Sequence, residues 1–206
     1  MAEFLTTSGI SSKIEEIIKN ADEHLFFVSP YLKLSRIIRE NMFDAIRRNV
    51  SLYFVYGKKD LDKDEFRLLF DFSFEGNMIE LRYLDNLHAK VYLNEKQMIV
   101  TSMNLHEFSE KNNREIGIYI DSNHDNDLFN SIYEEVWSIY NASKKITHGC
   151  CIFCRKFIKY NTLACVCKEC IDMKYDVGEG RFCHKCGKPY PTVKSKPLCF
   201  YCSSKL

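Results

Sequence analysis

All ten cysteines of this 206-residue chain lie between Cys150 and Cys202, and the residues before them contain none. Eight of the ten fall on one repeated pattern, Cys151-x2-Cys154-x12-Cys167-x2-Cys170 and then Cys183-x2-Cys186-x12-Cys199-x2-Cys202, with every position recurring 32 residues later. That is a tandem repeat, and each unit offers two close pairs of soft thiolates, the donor set of a tetrahedral structural zinc. The intervening loops, 155–166 and 187–198, are too short to build cores of their own, so metal binding is expected to supply much of their folding free energy. Two structural zinc ions per chain follow. Iron on the same thiolates is less usual for paired knuckles at this spacing, and disulfides suit an oxidising compartment. Cys150 and Cys165 are surplus to the repeat and are expected to be free thiols, while neither His148 nor His184 is needed as a ligand.

The compartment expected is the reducing cytoplasm. The start, Met1-Ala-Glu-Phe-Leu-Thr-Thr-Ser, has no basic region or long apolar stretch, and no run approaches the roughly 20 apolar residues that span a bilayer. With 46% hydrophobic residues and only 8 Gly and 4 Pro, the chain can bury a substantial core. Residues 1–142 are expected to form that core domain, 143–149 a polar linker, and 150–206 the zinc region. The net charge of +1 conceals a division: residues 1–142 carry 16 basic and 24 acidic side chains, a balance of −8, and residues 143–206 carry 13 basic and 4 acidic, a balance of +9. The tail is the basic surface.

Within the first part, Ser12 and Glu15 form a capping-box pattern ahead of Ile14, Ile17, Ile18 and Ala21 at helical spacing. His24 to Ser29 is an apolar run fit for a buried central strand, ended by Pro30. Ser35 suits the cap of a second helix with Ile38, Met42, Ala45 and Ile46 on one face, stopping near Asn49. Leu52 to Tyr56 makes a second strand, and a charged stretch from Lys58 to Glu65 leads to a helical turn at 66–70. Four strands follow, Met78 to Leu84, His88 to Leu93, Met98 to Ser102 and Glu115 to Ile120. Asp125 or Asn126 then caps a closing helix with Leu128, Phe129, Ile132, Val136 and Ile139 on one side. This order predicts an α/β layer structure with a mixed sheet.

Because side chains alternate along a strand, His88, Lys90 and Tyr92 share one face and Ala89, Val91 and Leu93 the other. Ser102 and Asn104 repeat the two-residue spacing at the end of the next strand, as do Asn113 and Glu115 at the start of the one after. Three adjacent strand ends are thus expected to converge on a polar pocket. It holds what phosphoryl transfer needs: an imidazole nucleophile, Lys, Asn and Ser donors for the non-bridging oxygens, and a carboxylate to orient the ring.

His88-Ala-Lys90, then Thr101-Ser102-Met103-Asn104, then Asn112-Asn113-Arg114-Glu115-Ile116-Gly117 resembles the HKD signature of the phospholipase D superfamily, over roughly residues 8 to 140. The resemblance implies a mixed β-sheet sandwiched by helices and a phosphohistidine mechanism without a catalytic metal. By the same carry-over His88 is the nucleophile or acid, Lys90 and Asn104 are phosphate ligands, Ser102 is a supporting donor and Glu115 is the His-orienting acid. Two positions depart from the family pattern, Glu95 in place of Asp and Thr101 in place of Gly, and the acid is commonly structural. A second HKD motif usually supplies the other His. This chain has one HxK, so two-histidine chemistry implies a homodimer.

The tail interleaves Lys144, Lys145, Arg155, Lys156, Lys159, Lys185, Lys188, Lys194 and Lys196 with Phe153, Phe157, Tyr160, Tyr190 and Phe200, cations for phosphates and rings for exposed bases. Even with −2 left on each site by four thiolates around a divalent ion, the tail stays basic. The expected function is a phosphodiesterase, a nuclease cutting DNA, with RNA as the less favoured substrate, and with zinc ribbons that bind nucleic acid. The alternatives are a phospholipase D-type lipid hydrolase and a non-catalytic HKD-fold dimeric adaptor that binds partners through its ribbons.

Overall fold

The computed structural model describes residues 1–57, 79–106, 113–173 and 178–204. The charged stretch and helical turn expected at 58–70, and Met78, lie outside them. The described residues divide into two compact units, Met1–Lys145 and Ile146–Leu206.

The first unit begins with β1 (Glu3–Thr6), α1 (Thr7–Lys19), β2 (His24–Val28), β3 (Leu32–Lys33), α2 (Arg36–Arg47) and β4 (Ser51–Tyr56). It continues through β5 (Ile79–Tyr83), β6 (Val91–Leu93), β7 (Gln97–Thr101), β8 (Leu105–His106), β9 (Ile116–Asp121), α3 (Asn126–Ala142) and β10 (Lys144–Lys145). Eight strands make one mixed sheet in the order β1-β9-β7-β6-β2-β4-β5-β10. β2, β4 and β5 run parallel, and the remaining neighbours pair antiparallel.

Helices cover both faces, which is why the central strands are apolar on both. Phe26, Val28, Val55, Val91, Leu93, Met98 and Ile120 pack with Phe129, Val136 and Tyr140 of α3. Phe27 and Phe54, on the opposite side of the same strands, stack at 4.9 Å. α1 packs against α2, β7 and β9 through a stripe that includes Ile10, Ile14, Ile17 and Ile18, all buried. This is the mixed, helix-covered sheet that the pattern predicted.

Several boundaries differ from expectation. α1 starts at Thr7, directly after β1, so Ser12 lies inside it and is no cap; Ile10, fully buried, anchors the earlier turn. Ser35 does cap α2, accepting a hydrogen bond from Ile38 N–H, and the helix stops as expected before Asn49, whose φ of +67° is the left-handed conformation Asn tolerates. The His88 strand is shorter than predicted, because its ladder begins at Val91, although Thr101 N–H still donates to Lys90 O at 3.1 Å. Leu128, expected on the buried side of α3, is exposed, since Phe129 and Val136 take the core positions.

The second unit holds two hairpins and two short helices: β11 (His148–Cys150) with β12 (Phe157–Lys159), α4 (Lys168–Asp172), β13 (Gly180–Phe182) with β14 (Pro189–Thr192), and α5 (Phe200–Ser203). The 32-residue offset is visible in its backbone bonds. Cys151 N–H donates to Lys156 O as Cys183 N–H does to Lys188 O, and Arg155 N–H donates to Cys151 O as Gly187 N–H does to Cys183 O. Arg155 and Gly187 share a left-handed φ, +63° and +64°. Between the repeats, Cys150 N–H donates to His184 O at 2.6 Å while Phe182 N–H donates to Ile152 O at 3.0 Å. Position 150 corresponds to 182 and 152 to 184, so each repeat gives the other the same bond, the reciprocity of an isologous two-fold contact.

Candidate active site

The turn before β6 decides where His88 goes. Asn86 takes a φ of +62°, which reverses the chain, and Leu87 is then buried against Gly57. A Cβ on Gly57 would stand 2.7 Å from Leu87 Cβ, so only glycine allows this approach. With Ala89 and Val91 committed to the α3 side, His88 and Lys90 face the other way. His88 is exposed, at a cavity of about 540 Å³ that reaches round the strand end and is lined by Ala89, Val91 and Val100 as well as Lys90, Thr101, Ser102, Gly117 and Ile118.

Lys90 is nearly buried. Its ammonium donates to His88 O at 2.7 Å and lies 3.3 Å from His88 Nδ1 and 3.5 Å from Nε2, side-on to the ring. Burial pulls its pKa below the ordinary lysine value, and the charge of Glu115 offsets part of that.

Glu115 is also nearly buried and is held on every side. Its Oε1 accepts from Asn113 Nδ2 at 3.1 Å, its Oε2 accepts a short hydrogen bond from Ser102 Oγ, and its N–H donates to Thr7 Oγ1 at 2.8 Å. Ser102 Oγ in turn accepts from Ile116 N–H at 3.1 Å. Of the five predicted residues, then, His88, Lys90 and Ser102 line the cavity and Glu115 stands behind Ser102. The carboxylate meets the serine and Asn113; among the described residues no hydrogen bond joins it to His88. Asn104 is half-buried, and its Oδ1 has no hydrogen-bond partner among the described residues.

Both departures from the family pattern have a structural account. Glu95 accepts from Asp22 N–H at 3.0 Å and Glu23 N–H at 3.4 Å, tying the β6–β7 turn to the start of β2. Thr101 Oγ1 donates to Ile116 O at 2.7 Å and accepts from Met103 N–H at 3.1 Å. No local pattern marks Thr7, whose bond to Glu115 spans 108 residues, or the apolar rim. That rim is Phe4, Ile116 and Ile118; β1 pairs Phe4 with Ile118, and all three are exposed beside His88.

In the second unit the ligand atoms of Cys151, Cys154, Cys167 and Cys170 all lie within 4.8 Å of one another, as do those of Cys183, Cys186, Cys199 and Cys202. A tetrahedral four-thiolate zinc with bonds of about 2.3 Å has sulfur–sulfur edges of about 3.8 Å. Cys154–Cys167 at 3.5 Å and Cys186–Cys199 at 3.8 Å fit it. His184 belongs to neither set. Fully buried, it uses Nδ1 on Cys150 O at 2.7 Å and accepts from Asn161 N–H on Nε2 at 3.0 Å, so its ring is the Nδ1–H tautomer, and it stacks on Tyr160 at 5.1 Å.

A family model described as "Cardiolipin synthase, PLD-like domain" matches residues 14–137. Three solved structures share the fold. Nuc from Salmonella typhimurium, a phospholipase D family member, is 17% identical with a TM-score of 0.58, over 70% of this chain and 98% of its own. TrmBL2, an archaeal chromatin protein described as showing a novel mode of DNA binding, is 16% identical with a TM-score of 0.53, over 70% of this chain and 54% of its own. Phosphatidylserine synthase from Haemophilus influenzae is 15% identical with a TM-score of 0.57, over 70% of this chain and 39% of its own. No curated protein matches the sequence. Among the described residues no helix is long and apolar enough to cross a membrane.

Proposed function

The chain belongs to the phospholipase D-like family, and from that premise we propose that it is a phosphodiester hydrolase that cuts nucleic acid, DNA in preference to RNA, as a homodimer. The observation that carries the reading is the exposed imidazole of His88 in a cavity with a buried ammonium at its ring. His88 of one copy attacks phosphorus, forming the N–P bond as the P–O bond to the leaving strand breaks. His88 of a second copy protonates the leaving oxygen, then takes a proton from the water that hydrolyses the phosphohistidine.

Lys90 and Asn104 are the ligands for the non-bridging oxygens, with Ser102 as a further donor. Glu115 is the acid that positions Ser102 and Asn113 beside the cavity. This set supplies nucleophile, acid and cation from side chains alone. The exposed Phe4, Ile116 and Ile118 beside His88 support a subunit interface there, since an apolar rim of this kind is what an isologous contact covers.

Zinc is the ion we assign to the two thiolate sets, as a structural ion that folds the ribbons. Their basic surface serves to bring nucleic acid to an acidic catalytic unit. The DNA binding described for TrmBL2 supports the same substrate class. The test is cleavage of plasmid and single-stranded DNA by nuclease-free protein: wild type cuts, and His88→Ala loses at least about a thousandfold of the rate. Undiminished cutting by His88→Ala overturns the assignment. The likeness to a phosphatidylserine synthase supports a lipid phosphodiester as the second reading, and hydrolysis of phosphatidylcholine vesicles without any cutting of DNA or RNA selects it.

A further inference from the structure

The aromatic residues of the tail look interchangeable in sequence, but the fold sorts them. Tyr160 is spent on the His184 stack, and Phe153 packs against the first cysteine cluster. Phe157 is half-buried in its hairpin. Tyr190 and Phe200 remain in the open, Phe200 with 79% of its surface exposed, and both line one groove of about 500 Å³ in the second ribbon.

The groove is built from β14, the turn after it and α5. Val193 and Lys196 close the turn by exchanging backbone bonds of 3.3 and 2.9 Å, which brings Lys196 and Pro197 round to the groove that Tyr190 and Pro191 line from the strand. Its volume falls in the range of pockets that hold small flat ligands, about 300–1,000 Å³. Rings and prolines line it, together with Thr192, Ser195, Lys196 and Ser203. Over residues 178–204 five cations, Arg181, Lys185, Lys188, Lys194 and Lys196, face one acid, Glu179, which sits in the lining. That balance stays positive after the −2 of a zinc tetrathiolate is counted.

We propose that this groove, built on Tyr190, Phe200 and Lys196, is a stacking site for an unpaired base of single-stranded nucleic acid. The inference rests on the nucleic-acid reading above and deepens it, because it names the strand state that the ribbon selects. Bases in a duplex are already stacked and paired, whereas a splayed base offers a flat face to the exposed ring, and the neighbouring phosphates find the lysines of the 193–196 turn. Aliphatic side chains fill apolar space but lack the π-face, so ring identity rather than apolar area should set the affinity.

The experiment uses the full chain, as purified with its metal, carrying His88→Ala so that probes survive. Fluorescence anisotropy follows a labelled oligothymidylate and a duplex of the same length. Phe200→Leu should weaken oligothymidylate binding about 5- to 100-fold, with a smaller loss on duplex, and Phe200→Tyr should stay within about threefold of the parent. Zinc content of each protein, measured alongside, reports an intact ribbon; Tyr190→Leu gives a second route if Phe200→Leu loses metal. Equal affinity in parent, Phe200→Leu and Tyr190→Leu overturns the groove, and so does an equal loss on single strand and duplex. A polyglutamate peptide that binds the parent and is lost in Phe200→Leu, with oligothymidylate unaffected, reassigns the groove to an acidic protein partner. A parent protein that binds no nucleic acid removes the wider reading as well, whereas a parent that binds DNA with an indifferent Phe200 removes only the groove.

Discussion

His184 is the residue on which the joint between the two ribbons depends, and replacing it with alanine should weaken both metal sites although it is a ligand of neither. The ring is fully buried, with Nδ1 against Cys150 O at 2.7 Å, Nε2 accepting from Asn161 N–H at 3.0 Å, and its face on Tyr160. Alanine removes the bonds to Cys150 O and from Asn161 N–H, about 0.5–1.5 kcal/mol each, and ends the ring stack, about 0.5–1.5 kcal/mol. Together the loss is about 1.5–4.5 kcal/mol. With folding coupled to metal as proposed above, that loss appears in metal affinity, and at about 1.4 kcal/mol per tenfold even its low end is about 10-fold.

Competition between the full chain and a chromophoric chelator measures both affinity and stoichiometry. The reciprocal bonds from Cys150 N–H to His184 O and from Phe182 N–H to Ile152 O require the two sites to weaken together. Loss of one metal equivalent with the other site untouched contradicts this coupling, as does an unchanged affinity. Gly149→Ala should reproduce the effect without altering any polar group, because its Cβ would stand 2.7 Å from His184 Nε2.

Two further outcomes follow from the catalytic unit. Gly57→Ala pushes a Cβ to 2.7 Å from Leu87 Cβ and 2.9 Å from Leu87 O, so the segment leading into His88 must shift; a stability loss of about 1–3 kcal/mol in urea titration is expected, with diester hydrolysis falling too, and an unperturbed variant contradicts the close approach. His24 has its pKa lowered by burial, an effect that Glu95 and Glu23 partly oppose, and its Nε2 lies 3.0 Å from Tyr133 Oη. The unfolded chain therefore takes up this proton first, so stability present above the unfolded value of about 6.5 is lost as pH falls below it. Urea midpoints at pH 7.5 and 5.5 should drop more in wild type than in His24→Gln, and equal drops would rule out His24 as the source.

What could be read in the sequence was local. The two-residue alternation that puts Ala89, Val91 and Leu93 against α3 and leaves His88 and Lys90 on the other side is a property of any extended chain with one apolar face. Ser35 could be identified as a cap because its partner, Ile38 N–H, is three residues away. The capping box at Ser12 had the same appearance and was wrong: burial of Ile10 against the sheet carries α1 back to Thr7, and tertiary packing outweighs a cap. Thr7 then hydrogen-bonds Glu115 across 108 residues, a pairing no window along the chain contains.

The cysteine repeat shows the same division. An offset of 32 residues gives the number of thiolate sets and their members, because knuckle spacing is a local constraint. It does not say whether the two repeats follow one another by translation or face one another. The answer lies in bonds such as Cys150 N–H to His184 O, made by residues just outside the ligand pattern. His184 had no visible task in the sequence because its partners, a carbonyl and an amide, carry no side-chain signature. A translational array would leave each repeat with a free copy of that bond at its outer end. The reciprocal contact uses both copies, which closes the pair at two repeats.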